Sequence, residues 1–164
     1  MSGRKKTSII SVQNIDITIA TFNMDDYICI TDMAKAKGGE SRAADIIKNW
    51  IRGRATLEFL GTWEMMFNPD FKVVEFDHFK AQAGLPTFTL SAKQWIEKTC
   101  AVGIYVQAGR YGGTYAHRDI LLNPHRCGKE ICFTAKQFLQ TNRVARLRRR
   151  SRLAQRRAVR NDGG

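Results

Sequence analysis

The string IYVQAGRYGGTYAH, residues 104–117, is the stretch on which the prediction of the fold depends most. Its β-rich flanks surround a glycine-rich tip, and this pattern predicts a β-hairpin. Gly109, Gly112 and Gly113 permit positive φ angles and carry no Cβ, so backbone N–H groups and Arg110 could approach a phosphate or a DNA groove closely. A tight turn without any binding role is an equally good interpretation of this string taken alone.

Upstream of the hairpin, the sequence predicts two consecutive helices separated by a glycine turn. Thr31 is an N-cap candidate for the short helix DMAKAK, which Gly38 and Gly39 end. Ser41 is the N-cap candidate for the next helix, RAADIIKNWIRGR, predicted over Ser41 to Arg52. The apolar residues of this second helix recur at helical spacing and are Ala43, Ile46, Ile47, Trp50 and Ile51.

The opposite face of the second helix carries Arg42, Asp45, Asn49 and Arg52. Long cations suit phosphates and guanine, and the Asn49 amide suits adenine. A short helix, a turn and an amphipathic helix form the layout of a helix-turn-helix, and a following hairpin with Arg110 at its tip has the anatomy of a wing. Two ordinary surface helices with a solvated outer face would give the same pattern.

The remaining segments predict further short strands and helices. Residues 9–12 and 15–22 alternate like strands, and the intervening Gln13 and Asn14 allow a hairpin turn. The run YICI at 27–30 predicts another strand, whereas 71–83 fits either a strand or a helix. A helix predicted from Thr56 has as its apolar anchors Leu57, Phe59, Leu60, Trp63, Met66 and Phe67. Ser91 is the predicted cap of the helix AKQWIEKT.

Several of these strings together resemble a known family. GRYGGTYAHRDI (109–120), DYICITDMAKA (26–36), the helix around Trp50 and TLEFLGTWEMMFNPDF (56–71) are similar to the KilA-N domain of phage, bacterial and large DNA virus proteins. The likeness spans about residues 9–120. KilA-N resembles in turn the APSES domain of fungal transcription factors. This resemblance implies an α+β, winged helix-turn-helix-like fold with a small antiparallel sheet, and binding to double-stranded DNA.

The resemblance also implies which residues contact DNA, because the second helix and the hairpin at 109–115 match the family's motifs. The candidate DNA contacts are Arg42, Lys48, Asn49, Arg52, Arg110, Gly112 and Gly113. The residues expected to brace the hairpin are Tyr111, Thr114, Tyr115, His117, Arg118 and Asp119.

The net positive charge of the chain comes almost entirely from residues C-terminal to this region. The formal net charge is +12. Residues 1–120 carry 15 basic and 13 acidic side chains, and residues 121–164 carry 12 basic and 2 acidic ones. Such a cationic tail predicts a polyanionic partner. The candidate nucleic-acid contacts in the tail are Arg143, Arg146, Arg148, Arg149, Arg150, Arg152, Arg156, Arg157 and Arg160.

The domain organisation follows from these two observations. We expect a basic leader at 1–8, the KilA-N domain at 9–120, a connecting segment at 121–142 and an arginine-rich tail at 143–164, disordered when free or helical. The connecting segment departs from the family, which usually continues into an apolar helix, because Pro124 and Gly128 interrupt helix formation here. A natural tail, a domain fusion and an altered reading frame remain open as its origin.

Enzymatic, metal-binding and membrane-spanning interpretations find little support in the sequence. His117 and Asp119 with Arg110, or the acidic residues near the N-terminus, show no diagnostic catalytic spacing, so no enzyme activity is expected. His125, Cys127 and Cys132 lack a second paired half of a zinc site, so no metal or cofactor is expected. The apolar runs are too short to span a membrane, and the cysteines are expected to be reduced. The expected location is the cytoplasm of a bacterial or infected host cell, with nucleoid association when the protein is bound to DNA.

The sequence therefore predicts a DNA-binding protein of KilA-N type from a phage or prophage, with a regulatory, antirepressor-like role as an option. The alternative is a protein that binds RNA or any polyanion mainly through its arginine-rich tail.

Overall fold

An antiparallel sheet forms one side of the molecule. The computed structural model describes residues 6–12, 14–22, 25–109 and 112–121. Within these ranges, five strands lie in the order β1-β2-β3-β5-β4 and every neighbouring pair is antiparallel. The strands are β1 (Lys6–Val12), β2 (Ile15–Phe22), β3 (Asp25–Cys29), β4 (Ile104–Gln107) and β5 (Gly113–His117). The fold is therefore α+β with a small antiparallel sheet, as predicted.

The helices separate the two parts of the sheet along the chain. They are α1 (Ile30–Gly38), α2 (Ala43–Ile51), α3 (Arg54–Phe67), α4 (Val73–Gln82), α5 (Ala92–Thr99) and the single turn α6 (Arg118–Leu121). A 3-10 turn, Glu40–Arg42, joins α1 to α2. The ambiguous segment at 71–83 is thus helical. β5 pairs with β3, although α1 to α5 lie between these two strands in the sequence. This pairing joins the N-terminal strands and the C-terminal strands into one sheet.

The main core lies between the helices and one face of the sheet. Ile17 and Ile28 project from the sheet into this core, and Trp95 of α5 has no exposed surface. The rings of Phe71, Phe76 and Phe79 lie about Trp95, with ring centroids 5.9–6.1 Å from its own. The opposite face of the sheet carries a smaller cluster of Ala20, Cys29 and Tyr115 with Phe22, Tyr27 and Tyr105 packed against it.

The turn between the first two strands behaves as the sequence indicates. Asn14 adopts a positive φ of 65°, which its short polar side chain tolerates. The register runs from Lys6 opposite Thr21 to Val12 opposite Ile15, so the predicted hairpin is confirmed.

Two predicted helix caps are wrong, and one is confirmed. α1 begins at Ile30, so Thr31 lies inside the helix, and its hydroxyl accepts a hydrogen bond from the backbone N–H of Thr114. Ser41 lies in the 3-10 turn, and α2 begins two residues later without a side-chain cap. Ser91 does cap α5, where it forms a reciprocal capping box with Gln94.

The C-terminal end of α3 is more exposed than its apolar spacing predicts. Met66 and Phe67 are 66% and 60% exposed, whereas Leu57, Leu60 and Trp63 are buried. The apolar stripe therefore contacts the core over its first three turns only, and the predicted burial of Met66 and Phe67 is wrong.

A buried carboxylate positions the loop that leads into β4. Glu64 of α3 has no exposed surface and accepts hydrogen bonds from the backbone N–H groups of Val102 (3.0 Å) and Gly103 (2.7 Å) and from the Asn68 amide (2.8 Å). A Cβ on Gly103 would lie 2.9 Å from Oε1 of Glu64 and closer still to Ile120 and Trp63. The loop can approach α3 this closely because residue 103 is glycine, and this approach determines where β4 starts.

Candidate nucleic-acid interface

The first two helices are joined by a tight turn. Gly39 has a positive φ of 77°, and its N–H donates to the carbonyl of Lys35 at the end of α1. A Cβ on Gly38 would lie only 2.6 Å from Cδ1 of Ile46, so α1 and α2 approach each other at a glycine. Two short helices, α1 and α2, therefore follow each other closely in the sequence, and we refer to residues 30–51 as the α1–α2 unit, which the sequence predicts to be a helix–turn–helix.

The second helix of this unit has one buried and one exposed face, as predicted. Ala43, Ile47, Trp50 and Ile51 are buried, and Ile46 is packed against the core. The exposed side chains are Arg42, Ala44, Asp45, Lys48 and Asn49. Arg52 is half-buried, and its Nη1 donates to the carbonyl of Phe88 at 3.4 Å, so this candidate contact already has a protein partner.

The glycine-rich hairpin joins β4 to β5, with Gln107 paired to Gly113. Gly109 adopts a φ of 112°, and the N–H of Gly112 donates to its carbonyl at 2.9 Å. A Cβ on Gly113 would lie 3.1 Å from Sγ of Cys29. The glycines at 109 and 113 thus have structural reasons to be glycine. Two predicted site residues at the tip, Arg110 and Tyr111, lie outside the described residues.

Two residues of β5 connect the hairpin to its neighbours. The backbone N–H of Thr114 donates to the Thr31 hydroxyl of α1 at 2.9 Å. Tyr115 stacks on Tyr105 of β4 with ring centroids 4.6 Å apart, and burial raises the pKa of Tyr115 to about 12. Burial also raises the pKa of the adjoining Cys29 thiol to about 11. Tyr115 and Cys29 are therefore neutral near pH 7 and pack as part of the smaller cluster.

Three of the residues expected to brace the hairpin are His117 at the end of β5 and Arg118 and Asp119 at the start of α6. His117 is buried, with Nε2 3.6 Å from Asp25 and Nδ1 3.6 Å from Asp119, and its ring lies against Trp63 at 4.9 Å between centroids. Arg118 reaches Asp26 at 3.7 Å. Both acidic partners at 25 and 26 belong to β3, so this cluster joins the two central strands.

A cleft of about 350 Å³ lies between the α1–α2 unit, the start of α5 and the hairpin. α2 forms one wall and the β4–β5 hairpin contributes Val106 and Thr114. The full lining is Thr31, Lys35, Glu40, Ala43, Ala44, Ile47, Lys48, Ser91, Ala92, Lys93, Val106 and Thr114. The two elements expected to contact DNA therefore border one concave surface.

The family model of the KilA-N domain matches residues 10–125, which is more than half of the chain. The chain belongs to the KilA-N family. KilA-N is a family of DNA-binding domains rather than of enzymes, so DNA is the partner that membership indicates. No match was found among curated proteins or among solved structures.

Sequence reasoning missed the roles of three charged residues in this region of the KilA-N domain. Glu64 stood within an apolar helix and gave no signal beyond being an acidic residue at a buried spacing. Lys35 and Lys93 were not singled out, although their helices were predicted. Among the described residues, no group of His, Cys, Asp or Glu side chains is arranged to hold a metal ion, and none of the helices there has the length and apolar character needed to cross a membrane. The zinc candidates and the arginine tail lie outside these residues.

Proposed function

We propose that this KilA-N protein binds duplex DNA as a winged helix-turn-helix, with α2 as the recognition helix and the β4–β5 hairpin as the wing. The observation that carries the proposal is the shared cleft, because α2 and the hairpin form parts of a single concave surface. A recognition helix and a wing can engage one duplex together only if they project on the same side of the domain.

The side chains of α2 support two different roles in this interface, base recognition and phosphate contact. Asn49 is exposed and can pair with adenine, whereas Arg42 and Lys48 are exposed cations suited to phosphates. Arg52, by contrast, is held at the Phe88 carbonyl and contributes less to binding in this proposal. The hairpin adds Gly112 and Gly113 and, at its tip, Arg110.

Within the proposal, residues 9–120 recognise DNA and the tail supplies affinity without sequence information. The nine arginines from 143 to 160 would contact phosphates of whichever duplex the domain selects. The resemblance to the KilA-N domain of phage, bacterial and large DNA virus proteins is the support for a proposed phage or prophage origin, a regulatory, antirepressor-like role and association with the nucleoid. The basic tail alone supports the competing function, which is binding of RNA through the tail.

Salt-dependent titrations distinguish these two functions. The full chain and a chain lacking residues 143–164 are titrated against duplex DNA, single-stranded DNA and RNA of matched length at several salt concentrations. The proposal expects the shortened chain to lose affinity for all duplexes alike and to keep its relative preference among them. Equal binding to RNA and duplex DNA, with no preference left after truncation, would establish the tail as the binding element and contradict the proposal.

A further inference from the structure

The cationic lining of the cleft comes from three separate helices. Lys35 belongs to α1, Lys48 to α2 and Lys93 to α5. Only Lys48 lies on the predicted recognition helix, and α5 belongs neither to the α1–α2 unit nor to the hairpin. The cleft therefore adds a third element to the region that faces DNA.

The three lysines differ in how far their charge is compensated. Lys35 pairs with Glu40 at 2.9 Å, and this contact raises the pKa of Lys35 and lowers that of Glu40. Lys93 lies 3.7 Å from Glu97, a long contact between side chains that are 75% and 63% exposed. No acidic side chain of the described residues lies within ion-pair distance of Lys48. Lys48 has no such partner and the Lys93–Glu97 contact is longer than the Lys35–Glu40 contact, so Lys48 and Lys93 are the two lysines that remain available to an anion.

The cleft is also lined by apolar side chains. Ala43, Ala44 and Ile47 of α2, Ala92 of α5 and Val106 of β4 line it together with the lysines. A nucleic-acid strand alternates anionic phosphates with the apolar faces of sugars, so it matches a lining that combines apolar side chains with lysines of separate helices. A fully charged ligand without apolar surface would leave the apolar side chains without a partner.

We propose that the cleft binds the sugar–phosphate backbone of one strand of duplex DNA, with phosphates bound by Lys48 from α2 and by Lys93 from α5. Lys93 is then a DNA-contacting residue that no helix–turn–helix or wing motif identifies. This inference rests on the proposed function and adds the position of a backbone strand to it.

The first test compares two lysines of the same helix in the full chain. Lys93 lines the cleft and Lys98 does not, although both are exposed. Lys93→Gln should make the salt dependence of duplex binding shallower by about one unit, which corresponds to an affinity loss of about 5- to 10-fold near 0.1 M salt. Lys98→Gln should leave both quantities unchanged. Equal effects of the two substitutions would overturn the inference.

A second test places a carboxylate in the cleft. Ala44 is exposed and lines the cleft, and Ala55 is an exposed alanine of α3 outside it. Ala44→Glu should weaken duplex binding at least as much as Lys93→Gln, because it repels a phosphate and competes for Lys48. Ala55→Glu is the matched control for the added charge. Unchanged binding by the Ala44 variant would overturn the inference.

Chemical footprinting keeps the inference separate from the arginine tail and from the proposed function. Acetylation of the full chain with saturating short duplex DNA should protect Lys48 and Lys93 and leave Lys98 reactive. Protection of Lys48 without Lys93 would overturn the inference and leave the recognition helix in place. Absence of protection at both residues, or protection by RNA alone, would overturn the inference and the proposed function together.

Discussion

The hydroxyl of Thr31 accepts a hydrogen bond from the backbone N–H of Thr114 at 2.9 Å. This contact joins the first turn of α1 to β5, and both residues line the cleft. A bond between residues far apart in the sequence thereby connects α1 directly to the β4–β5 hairpin. Such a connection reduces the ordering cost that DNA binding would otherwise carry.

Thr31→Val tests whether this bond matters. The substitution keeps the side-chain shape but removes the acceptor, so the half-buried N–H of Thr114 loses its partner. We expect a loss of about 1–2 kcal/mol in the free energy of unfolding and weaker duplex binding. Chemical denaturation and DNA titration measure the two effects. Thr62→Val, at an exposed hydroxyl of α3 bonded to the carbonyl of Glu58, is the control. An equal loss in the control would contradict a role for the Thr31 bond.

Asn49→Ala tests base reading by α2. The variant should lose about 1–3 kcal/mol of binding free energy on the preferred site and little on unrelated duplexes, because the lost amide contacts carry sequence information. The preferred site is first selected from a random duplex pool with the parent chain. Equal losses on all sequences would exclude a base-reading role.

The neighbouring Trp50 is the structural counterpart of Asn49. Trp50 is only 6% exposed. Trp50→Ala should therefore cost about 3–5 kcal/mol of folding stability, which a lower melting temperature of the free protein measures without reference to DNA preference.

Glu64→Gln tests the buried acceptor beneath the loop before β4. In either orientation of the new amide, an NH₂ donor replaces one of the two acceptor oxygens that Glu64 presents to N–H groups, so a donor then faces a donor. We expect a loss of about 2–3 kcal/mol in the free energy of unfolding, measured by chemical denaturation. Glu58→Gln, on the same helix and in contact with Arg54 near the surface, should change stability by less than about 0.5 kcal/mol. Similar stability of the two variants would contradict the importance of the buried carboxylate.

Alkaline pH should destabilise the folded chain through Cys29. Burial raises the pKa of this thiol from 9.0 to about 11, so the folded state retains a proton that the unfolded state releases. The resulting stabilisation is complete below pH 9 and is lost as the pH rises towards 11, by about 2–3 kcal/mol. Denaturation at several pH values measures the decline. Cys29→Ala should reduce it, while Cys100→Ala, at an exposed cysteine, should not. The same decline in both variants would assign it to other groups, such as Tyr115.

Local sequence patterns sufficed for the elements whose stability is decided by nearby residues. The alternation in 15–22 predicted β2, and the spacing of Ile47 and Trp50 predicted the buried face of α2. Local sequence predicts Thr31 as a helix cap, because a local pattern does not reveal that its hydroxyl accepts from Thr114, which is remote in the sequence. The exposure of Phe67 was missed for a related reason, since helical spacing does not indicate where the contact with the core ends.

The cleft shows what the sequence could not supply. Lys48 could be assigned to the exposed face of α2 from spacing alone, but whether Lys93 lies near it depends on how α5 packs against α2. Both helices contribute to the main core, α5 through Trp95 and α2 through Ile47 and Ile51, so their arrangement depends on tertiary packing. Sequence patterns therefore identify candidate side chains on individual helices. Only the structure shows which of these side chains share one surface.

The late position of β5 in the chain has a consequence for synthesis. Its pairing partner β3 precedes α1 to α5, so these two strands cannot pair until residues 115–117 have been synthesised. Closing so long a loop is entropically costly and slows folding, whereas α1 and α2 form from local contacts. A chain synthesised only as far as α2 would therefore lack the β4–β5 hairpin, and the surface that α2 shares with this hairpin would form only after β5 has paired with β3.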